Sequence, residues 1–339
     1  MRVVVTGATG NVGTSVVESL AEHPEIDEIV ALARRNPEWR SPKVTFVADD
    51  IRSRRLVDHF RGASVLVHLA WAFQPTHDPI KTWDTNVMGS IGVFEAAAAA
   101  GVSALVYASS VGAYSPGPGE HVDESWPTHS LPVAAYGREK AYLERYLDAF
   151  ELRHPEMRVV RLRPSFTFKR ESASEQRRIF AGPLVPRVLM RPGRLRVLPL
   201  PPGLRFQALH TADAAQAYRL AVTSDARGAF NVAAEPVIDG SALATLFGAR
   251  TVPVPPTALR MALAGAWRLR LAPADEALLA LFLQLPTLDT SRIRRELGWE
   301  PARSGVDALR EMLEGLADGA GAATEPLRPD RKLPADHEH

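Results

Sequence analysis

Tyr136 and Lys140 stand four positions apart in the segment Tyr136-Gly137-Arg138-Glu139-Lys140. On a helix this spacing brings both side chains to the same face. A phenol with its ordinary pKa of ~10 is a poor base near neutrality, but a neighbouring ammonium group favours the phenolate. The pair is therefore predicted to exchange a proton with a carbonyl or alcohol oxygen. The competing interpretation is two surface side chains that share this common spacing by chance.

Ser109 and Ser110 follow a short apolar run, Ala104 to Ala108, that is typical of a buried strand. In open parallel sheets, ligands bind beyond the carboxyl ends of the strands. One of the two hydroxyl groups is therefore predicted to hydrogen-bond the substrate oxygen and to orient it towards Tyr136. The alternative role is capping of the strand end. The order of the serines, Tyr136 and Lys140 along the chain favours the catalytic interpretation.

A glycine-rich turn follows the first predicted strand, in the sequence Thr6-Gly7-Ala8-Thr9-Gly10-Asn11-Val12-Gly13. Glycines at positions 7, 10 and 13 allow a tight turn and let backbone amides approach a pyrophosphate. The helix predicted from Asn11 would direct its free N–H groups and the positive end of its dipole at the phosphates. The turn therefore predicts a dinucleotide site rather than a purely structural glycine turn.

The end of the second predicted strand bears on the choice of cofactor. An NAD site usually has an acidic residue here, which accepts a hydrogen bond from the ribose 2′-hydroxyl. This sequence instead has Arg34 and Arg35, and no acid before Glu38. Guanidinium groups suit a 2′-phosphate, so NADP(H) is predicted, with Arg34 as its ligand and NAD as the alternative cofactor. The competing interpretation is two exposed loop arginines.

Asp50 follows the third predicted strand. It is predicted either to accept a hydrogen bond from the adenine amino group or to stand as an ordinary acid at a helix N-terminus.

Short apolar runs alternate with helical segments through the first half of the chain. This alternation is typical of right-handed crossovers and a doubly wound parallel α/β sheet. The predicted strands are Arg2 to Thr6, Ile29 to Ala33, Val44 to Ala48, Val65 to Leu69, Ala104 to Ala108 and Arg158 to Leu162. The predicted helices are 11–23, 82–100, 135–150, 211–223 and 304–317. From residue 318 onwards a disordered tail is expected.

Composition restricts the class of protein. At ~150 residues per domain, 339 residues suggest about two domains. A formal charge of +1 argues against a nucleic-acid partner, and the absence of cysteine excludes disulfides and thiolate metal sites. The ten histidines lack the spacing of a zinc site, so no metal is predicted. No apolar stretch approaches the ~20 residues that span a bilayer, and a cytoplasmic protein without a membrane partner is expected.

Residues 153–205 contain 13 arginines and lysines but only three acids. One interpretation is a solvated loop surface. The other is a positive wall above the ligand site, which would suit a phosphate or a carboxylate.

Taken together, these motifs resemble those of the extended short-chain dehydrogenase/reductase family, also called the NAD-dependent epimerase/dehydratase family. The resemblance runs from residue 1 to about residue 315. Further matching segments are His68-Leu69-Ala70, Asn86-Val87-Met88-Gly89-Ser90, Val106-Tyr107-Ala108-Ser109-Ser110, His210-Thr211-Ala212-Asp213, Phe230-Asn231-Val232, Leu288-Asp289-Thr290 and Leu297-Gly298-Trp299-Glu300-Pro301.

The resemblance implies a Rossmann domain over residues 1–165 that returns near 205–233, and a smaller discontinuous substrate domain over most of 166–317, before the tail at 318–339. It implies catalysis by Ser110, Tyr136 and Lys140, with Ser110 preferred to Ser109 because it lies four residues before Tyr114. It also implies a homodimer formed through the helices at 82–100 and 135–150. The implied cofactor contacts are Gly7, Thr9, Gly10, Asn11, Val12, Gly13, Asp50, Ile51, Leu69, Ala70, Tyr136, Lys140 and Pro164.

The sequence departs from nucleotide-sugar members of this family. Phe166 stands near a position where they commonly have asparagine, and Phe206 stands where they tend to have arginine, with Arg205 one position away. The substrate loop is altered as well, to Tyr114-Ser115-Pro116. Phe166 and Arg205 are the candidate substrate contacts. The aromatic residues suggest a flatter, less polar ligand, such as an aromatic or natural-product ketone.

Three functions are therefore weighed. The leading one is an NAD(P)-dependent oxidoreductase that transfers a hydride between the cofactor and a carbonyl/secondary-alcohol pair, with Tyr136 as acid and base. The alternative is an NAD(P)-dependent epimerase or dehydratase acting on a nucleotide sugar, for which the basic stretch 153–205 is the best support. The third is a non-catalytic cofactor-binding scaffold or sensor, against which the intact Ser110, Tyr136 and Lys140 argue.

Overall fold

The computed structural model describes residues 1–73, 77–117, 120–182 and 186–329. The strands are β1 (Arg2–Thr6), β2 (Glu28–Ala33), β3 (Val44–Ala48), β4 (Val65–His68), β5 (Ala104–Ala108), β6 (Arg158–Pro164), β7 (Phe166–Phe168), β8 (Val197–Leu200), β9 (Arg205–His210), β10 (Gly228–Val232), β11 (Ala234–Asp239) and β12 (Arg250–Pro253).

The α-helices are α1 (Asn11–Ala21), α2 (Leu56–Phe60), α3 (Pro79–Trp83), α4 (Gly89–Ala99), α5 (Ala135–Arg153), α6 (Ala173–Gln176), α7 (Thr211–Thr223), α8 (Gly240–Phe247), α9 (Pro256–Arg268), α10 (Glu276–Phe282), α11 (Ser291–Leu297) and α12 (Gly305–Asp318). Two π-helical segments, Asp84–Met88 and Arg177–Ala181, continue α3 and α6. Single 3-10 turns lie at Val111–Ala113, Arg170–Ser172, Arg187–Met190 and Glu325–Leu327.

A seven-stranded parallel sheet in the order β10-β6-β5-β4-β1-β2-β3 forms the centre of the molecule. One face is covered by an apolar layer that includes Val17 of α1 and Tyr218 of α7, and the other by a layer that includes Phe94 of α4 and Leu147 of α5. Burial on both faces explains why the strands are nearly continuous apolar runs. The predicted doubly wound Rossmann sheet is confirmed.

A second, smaller core lies beyond the main sheet. This part of the chain also forms a three-stranded sheet, β11-β9-β7, and a two-stranded sheet, β12-β8. Apolar side chains of α8 and α12, among them Leu243 and Leu313, pack there against Ile238 of β11. Phe166, which follows β6, packs in one apolar cluster with Val111, which follows β5. The chain after β6 therefore reaches the carboxyl end of the main sheet, where ligands of such sheets bind.

Two segments differ from the sequence prediction. The helix predicted over 82–100 is interrupted, because the π-helical segment Asp84–Met88 separates α3 from α4. The disordered tail expected from residue 318 is wrong for residues 319–329, where Thr324 is 3% and Leu327 0% exposed. Folding of this segment depends on tertiary contacts with distant residues, which its Gly, Ala and Pro content does not indicate. Residues 330–339 lie outside the described residues.

Within the described ranges, no helix has the combination of length and apolar character needed to cross a membrane.

Candidate active site

Tyr136 and Ser110 meet at the carboxyl end of β5. Tyr136 lies in the first turn of α5, and the Ser110 side chain contacts its phenol. The intervening backbone is tightly packed, since a Cβ atom on Gly112 would lie 2.7 Å from Cε1 of Tyr136. Ser109 is directed elsewhere and donates a hydrogen bond to the Glu144 carboxylate at 2.5 Å. Of the two serines, Ser110 is therefore the one that lies beside the phenol.

Lys140 lies one helical turn after Tyr136, as the sequence spacing predicts. Its Nζ donates a hydrogen bond to the Ala108 carbonyl oxygen at 2.7 Å and lies 3.5 Å from the centre of the Trp71 ring. Burial lowers the pKa of Lys140 to about 7, although the Glu139 and Glu144 carboxylates oppose the change. The amine therefore titrates near neutrality.

Burial and the Ser110 contact act in opposite directions on the Tyr136 phenol, and its activation by Lys140 stays a prediction. Burial raises the pKa of Tyr136 to about 12, and the hydrogen bond with Ser110 only partly offsets this. Desolvation disfavours the charged form of a buried phenol. Tyr136 is therefore a protonated group at neutral pH, which is the form that can donate a proton.

Aromatic side chains that sequence reasoning did not single out surround the phenol. Phe73 stacks on Tyr136 with ring centres 5.2 Å apart, and Trp71 meets it edge-on at 5.7 Å. Phe180, from the π-helical segment after α6, contacts Phe73 at 6.0 Å. The cavity beside Tyr136 has a volume of ≈ 40 Å³, and Ile179 and Leu278 are among its other lining residues. A signal existed in the sequence, because Trp71 and Phe73 directly follow the His68-Leu69-Ala70 motif.

The backbone between these two aromatic residues is held by a buried polar cluster. Asn86 accepts from the Ala72 N–H at 2.7 Å and donates to the Ala72 carbonyl oxygen at 2.9 Å. It also donates to Glu139 at 2.7 Å, and Thr82 donates to the other Glu139 oxygen at 2.8 Å. Glu139 thus links the helix that carries Tyr136 and Lys140 to the loop that carries Trp71 and Phe73. Sequence reasoning recognised Asn86 as part of a motif but gave it no role.

The glycine turn fits a dinucleotide pyrophosphate. Gly7 has φ +72°, and a Cβ atom there would lie 2.6 Å from the Ala70 nitrogen. A Cβ atom on Gly13 would lie 2.1 Å from the Gly7 oxygen, whereas one on Gly10 would have 3.5 Å of clearance. Only glycine therefore lets this turn pack against the Leu69-Ala70 backbone.

Polar atoms at the turn are available to such a ligand. No side chain caps the N-terminus of α1 at Gly10, which leaves the first helical N–H groups, at Asn11 and Val12, free of a side-chain partner. Within the described residues, the buried Oδ1 of Asn11 and the buried hydroxyl of Ser165, next to Pro164, have no hydrogen-bond partner. The free N–H groups and the Ser165 hydroxyl suit a phosphate, whereas Asn11 Oδ1, which only accepts, suits a hydroxyl group of the cofactor.

The residues predicted for the adenosine end follow β2 and the edge strand β3. Arg34 and Arg35 are exposed directly after β2. Asp50 accepts hydrogen bonds from the Arg52 backbone N–H at 3.0 Å and from Arg52 Nε at 2.9 Å. Asp50 and Ile51 line a cavity of ≈ 750 Å³ at this edge. Asp50 therefore holds its own loop in addition to any contact with adenine.

The two candidate substrate residues lie in different surroundings. Phe166 belongs to an aromatic cluster, with its ring centre 4.9 Å from that of Phe282 and 5.7 Å from that of Phe206. It packs in the same apolar cluster as Tyr136. Arg205 instead forms an ion pair with Glu120.

The arginines of the basic stretch are largely engaged within the protein, which neither sequence interpretation anticipated. Arg163 donates to both Glu144 oxygens at 2.9 Å. Burial alone would raise the pKa of Glu144, but Arg163 and Arg161 lower it to about 2. Arg170 and Arg191 pair with Asp318. Because these carboxylates pair with the arginines, the region is less positively charged than its count of arginines and lysines suggests.

No group of three or more potential metal-binding side chains occurs among the described residues.

Comparisons with known proteins were made on the whole chain. The model of the NAD dependent epimerase/dehydratase family matches residues 3–233. An uncharacterized protein of Mycobacterium tuberculosis is 28% identical over 331 residues, which cover 92% of this chain and 83% of that protein. A putative UDP-glucose 4-epimerase of Methanocaldococcus jannaschii is 31% identical over 156 residues, 44% of this chain and 50% of that protein.

Among solved structures, the UDP-glucose-4-epimerase of Stenotrophomonas maltophila with bound NAD and formylated UDP-arabinopyranose is similar in fold. Its TM-score is 0.70, with 20% sequence identity over 94% of this chain and 98% of that chain. At this identity the likeness concerns the fold.

Proposed function

The chain belongs to the NAD dependent epimerase/dehydratase family, and from that premise we propose that it is an NADP(H)-dependent oxidoreductase that interconverts a carbonyl group and a secondary alcohol. The observation that carries the proposal is the contact between Ser110 and the Tyr136 phenol, with Lys140 held one helical turn away at the Ala108 carbonyl. These groups lie at the carboxyl edge of the parallel sheet, where ligands of such sheets bind.

Each side chain has a separate task in the reduction of a carbonyl group. A nicotinamide held at the glycine turn would supply the hydride that the carbonyl carbon receives. The Ser110 hydroxyl donates a hydrogen bond to the substrate oxygen and orients it. Tyr136, whose pKa of about 12 keeps it protonated at neutral pH, transfers its proton to that oxygen as the negative charge develops. Protonated Lys140 stabilises the phenolate that remains.

The glycine turn and Arg34 support the choice of cofactor. Gly7, Thr9, Gly10, Asn11, Val12 and Gly13 would hold the pyrophosphate through the turn and the N-terminus of α1. Arg34 is exposed at the end of β2 and makes no ion pair within the described part of the chain. Its guanidinium group would donate charge-assisted hydrogen bonds to a 2′-phosphate.

The lining of the cleft supports an apolar substrate. Trp71 and Phe73 present aromatic surface beside the phenol, Phe180 packs on Phe73, and Arg205, the predicted basic substrate contact, is paired with Glu120. A flat ketone would bury apolar surface against these rings, which a sugar diphosphate would not.

Tyr136→Phe tests the catalytic assignment. Loss of the acidic proton should lower kcat by about 100-fold or more, with the dissociation constant for NADPH unchanged. The measurement is NADPH oxidation, followed at the nicotinamide absorbance, over a panel of aromatic and aliphatic ketones. Tyr142→Phe, on the exposed side of the same helix, is the matched control and should retain activity. Equal turnover in the Tyr136→Phe variant and the wild type would defeat the assignment.

Arg34→Ala tests the cofactor assignment. Removal of a guanidinium–phosphate contact worth about 1.5–3 kcal/mol should weaken NADPH binding by about 10- to 100-fold. NADH binding should change little, because NADH lacks the 2′-phosphate. Fluorescence titration of both dinucleotides measures this ratio, with Arg310→Ala on the exposed face of α12 as the control. A ratio that stays the same in Arg34→Ala would contradict the assignment.

The second candidate function is an epimerase or dehydratase that acts on a nucleotide sugar. The similarity to a putative UDP-glucose 4-epimerase favours it. In that case an oxidised cofactor should co-purify with the protein, and UDP-glucose should be converted without net consumption of NADPH. Product analysis by chromatography distinguishes this outcome from reduction of a ketone. Absence of turnover on both substrate classes would point to a cofactor-binding scaffold.

A cytoplasmic location and a homodimer stay predictions. The absence of cysteine supports the first. The second is supported by exposed apolar side chains in the π-helical segment, at Met88, and on α5, at Tyr142.

A further inference from the structure

Residues beyond α12 also pack against the rest of the molecule. After Gly319, which has φ +68°, residues 320–329 turn back along the molecule; we call this segment the C-terminal strap. Leu327 is completely buried, and the Ala322 N–H donates to the Leu327 carbonyl at 2.7 Å. A Cβ atom on Gly321 would lie 2.3 Å from the Leu327 oxygen, so the strap is compact.

The strap lies against the glycine turn. The buried hydroxyl of Thr324 donates a hydrogen bond to the Thr9 carbonyl oxygen at 2.8 Å, across 315 positions of sequence. Thr324 and Thr9 are 3% and 7% exposed, so this contact is shielded from water. The strap therefore reaches the turn that is proposed to hold the cofactor.

Beside that contact, the strap carries the carboxylate of Glu325. Glu325 lies 3.0 Å from Arg35 Nη1 and 2.9 Å from Arg328 Nη2. Arg35 directly follows Arg34, the proposed ligand of a 2′-phosphate. One carboxylate is thus shared between Arg35, at the end of β2, and Arg328 of the strap itself.

The opposite side of the strap is fixed to the substrate-side part of the chain. Arg178 donates to the carbonyl oxygens of Pro326, at 2.5 Å, and of Arg328, at 2.9 Å. Ser174 donates to the Ala320 carbonyl oxygen at 2.7 Å. Because it is anchored on both sides, the strap holds Glu325 in place near the adenosine end rather than leaving it on a free tail.

We infer that Glu325 is a specificity-determining residue that weakens binding of NADPH relative to NADH. This inference rests on the proposed function, since it needs a dinucleotide at the glycine turn. A 2′-phosphate carries about −1.5 to −2 charges at pH 7, so a nearby carboxylate repels it and also competes for Arg35. The 2′-hydroxyl of NADH is uncharged, so Glu325 does not repel it, and competition for Arg35 does not weaken its binding. Arg34 is the one of the two adjacent arginines that Glu325 does not pair with, and Glu325 therefore limits the preference for NADP(H) that Arg34 supplies.

The test is fluorescence titration of NADPH and NADH with the full chain carrying Glu325→Gln. At about 0.01 M salt, where charges act over roughly 30 Å, the dissociation constant for NADPH should fall by about three- to tenfold. The constant for NADH should stay within about twofold. At about 1 M salt, where the screening length is roughly 3 Å, the gain should largely disappear.

Glu296→Gln is the matched control. It removes the same charge on α11, where Glu296 pairs with Arg292 at 3.1 Å. That helix packs against β10, at the opposite edge of the sheet from β2 and β3. This variant should leave both dissociation constants unchanged.

Two results would overturn the inference: an unchanged NADPH-to-NADH ratio in Glu325→Gln, or an equal change for both dinucleotides. Failure of the proposed function has a different outcome, because the wild-type chain would then bind neither dinucleotide. Thermal melting of both variants verifies that they are folded.

Discussion

At the scale of single residues, burial controls the chemistry of the candidate site. It raises the pKa of Tyr136 to about 12 and lowers that of Lys140 to about 7. Both shifts favour the neutral forms, because desolvation disfavours charge. The phenol is therefore ready to donate a proton, and the amine can change its charge near physiological pH.

The low pKa of Lys140 predicts a specific pH dependence of stability. Between about pH 7 and the ordinary lysine value of 10.5, the unfolded chain binds a proton at this position that the folded chain does not. The free energy of unfolding therefore gains a contribution that increases with pH across this window, by up to roughly 1.4 kcal/mol per pH unit. Lys140→Met removes that contribution.

Thermal melting between pH 7 and pH 10 measures this effect. The Tm of the wild type minus that of Lys140→Met should increase as the pH rises through this range. Lys81→Met, at an exposed position of α3, should show no such trend relative to the wild type. A difference that stays constant with pH would mean that Lys140 is charged in the folded protein.

At the scale of secondary-structure elements, an irregular helix positions the aromatic loop. Asn86 lies in the π-helical segment between α3 and α4, and π-helical turns are frequent at functional sites. Its side chain is completely buried and hydrogen-bonds both backbone groups of Ala72, between Trp71 and Phe73. The loop that covers the phenol is therefore fixed by a helix, and Glu139 connects both to α5.

Asn86→Ala should loosen this loop. The substitution leaves the Ala72 backbone and one Glu139 oxygen without their partner, and unsatisfied buried groups cost about 1–3 kcal/mol each. We expect a lower Tm and a larger rise in KM for a ketone than in the dissociation constant for NADPH. Thermal melting and steady-state kinetics measure these effects, with the exposed Asn36→Ala as the control. A Tm equal to that of the wild type would show that the cluster does not stabilise the loop.

At the scale of the whole molecule, exposed apolar side chains bear on assembly. Met88 is 52% and Tyr142 45% exposed, and the Tyr142 ring contacts Trp83 with ring centres 4.9 Å apart. These residues lie on the two helical regions through which a homodimer is predicted. Apolar side chains on adjacent helices are typical of such interfaces.

Tyr142→Lys should weaken the predicted dimer, because it introduces a charge that must be desolvated on association. We expect the dimer dissociation constant to rise by about tenfold or more. Size-exclusion chromatography with light scattering over a range of concentrations gives this constant. Met261→Lys is the control, since Met261 is 73% exposed on α9 and belongs to neither helical region. A monomeric wild type, or equal effects of the two variants, would refute this interface.

Local sequence patterns determined the central sheet and much of the candidate site. Apolar runs such as Val3 to Val5 are buried on both sides of the sheet. Their alternation with helices predicted a parallel, doubly wound sheet. The glycine turn and the Tyr136–Lys140 spacing were also visible, because each depends on residues within one turn or one helix. The proximity of two side chains on one helix can be inferred from their spacing alone.

Only the tertiary structure decided which charges and rings act together. Asn86 and Glu139 are 53 positions apart, and Thr9 and Thr324 are 315 apart, so no periodicity relates them. Burial likewise raises the pKa of Tyr136, and the sequence does not show this because the degree of desolvation depends on side chains from distant elements. Such contacts arise when the folded chain packs at high density, where each side chain's surroundings are set by whichever distant segments meet there.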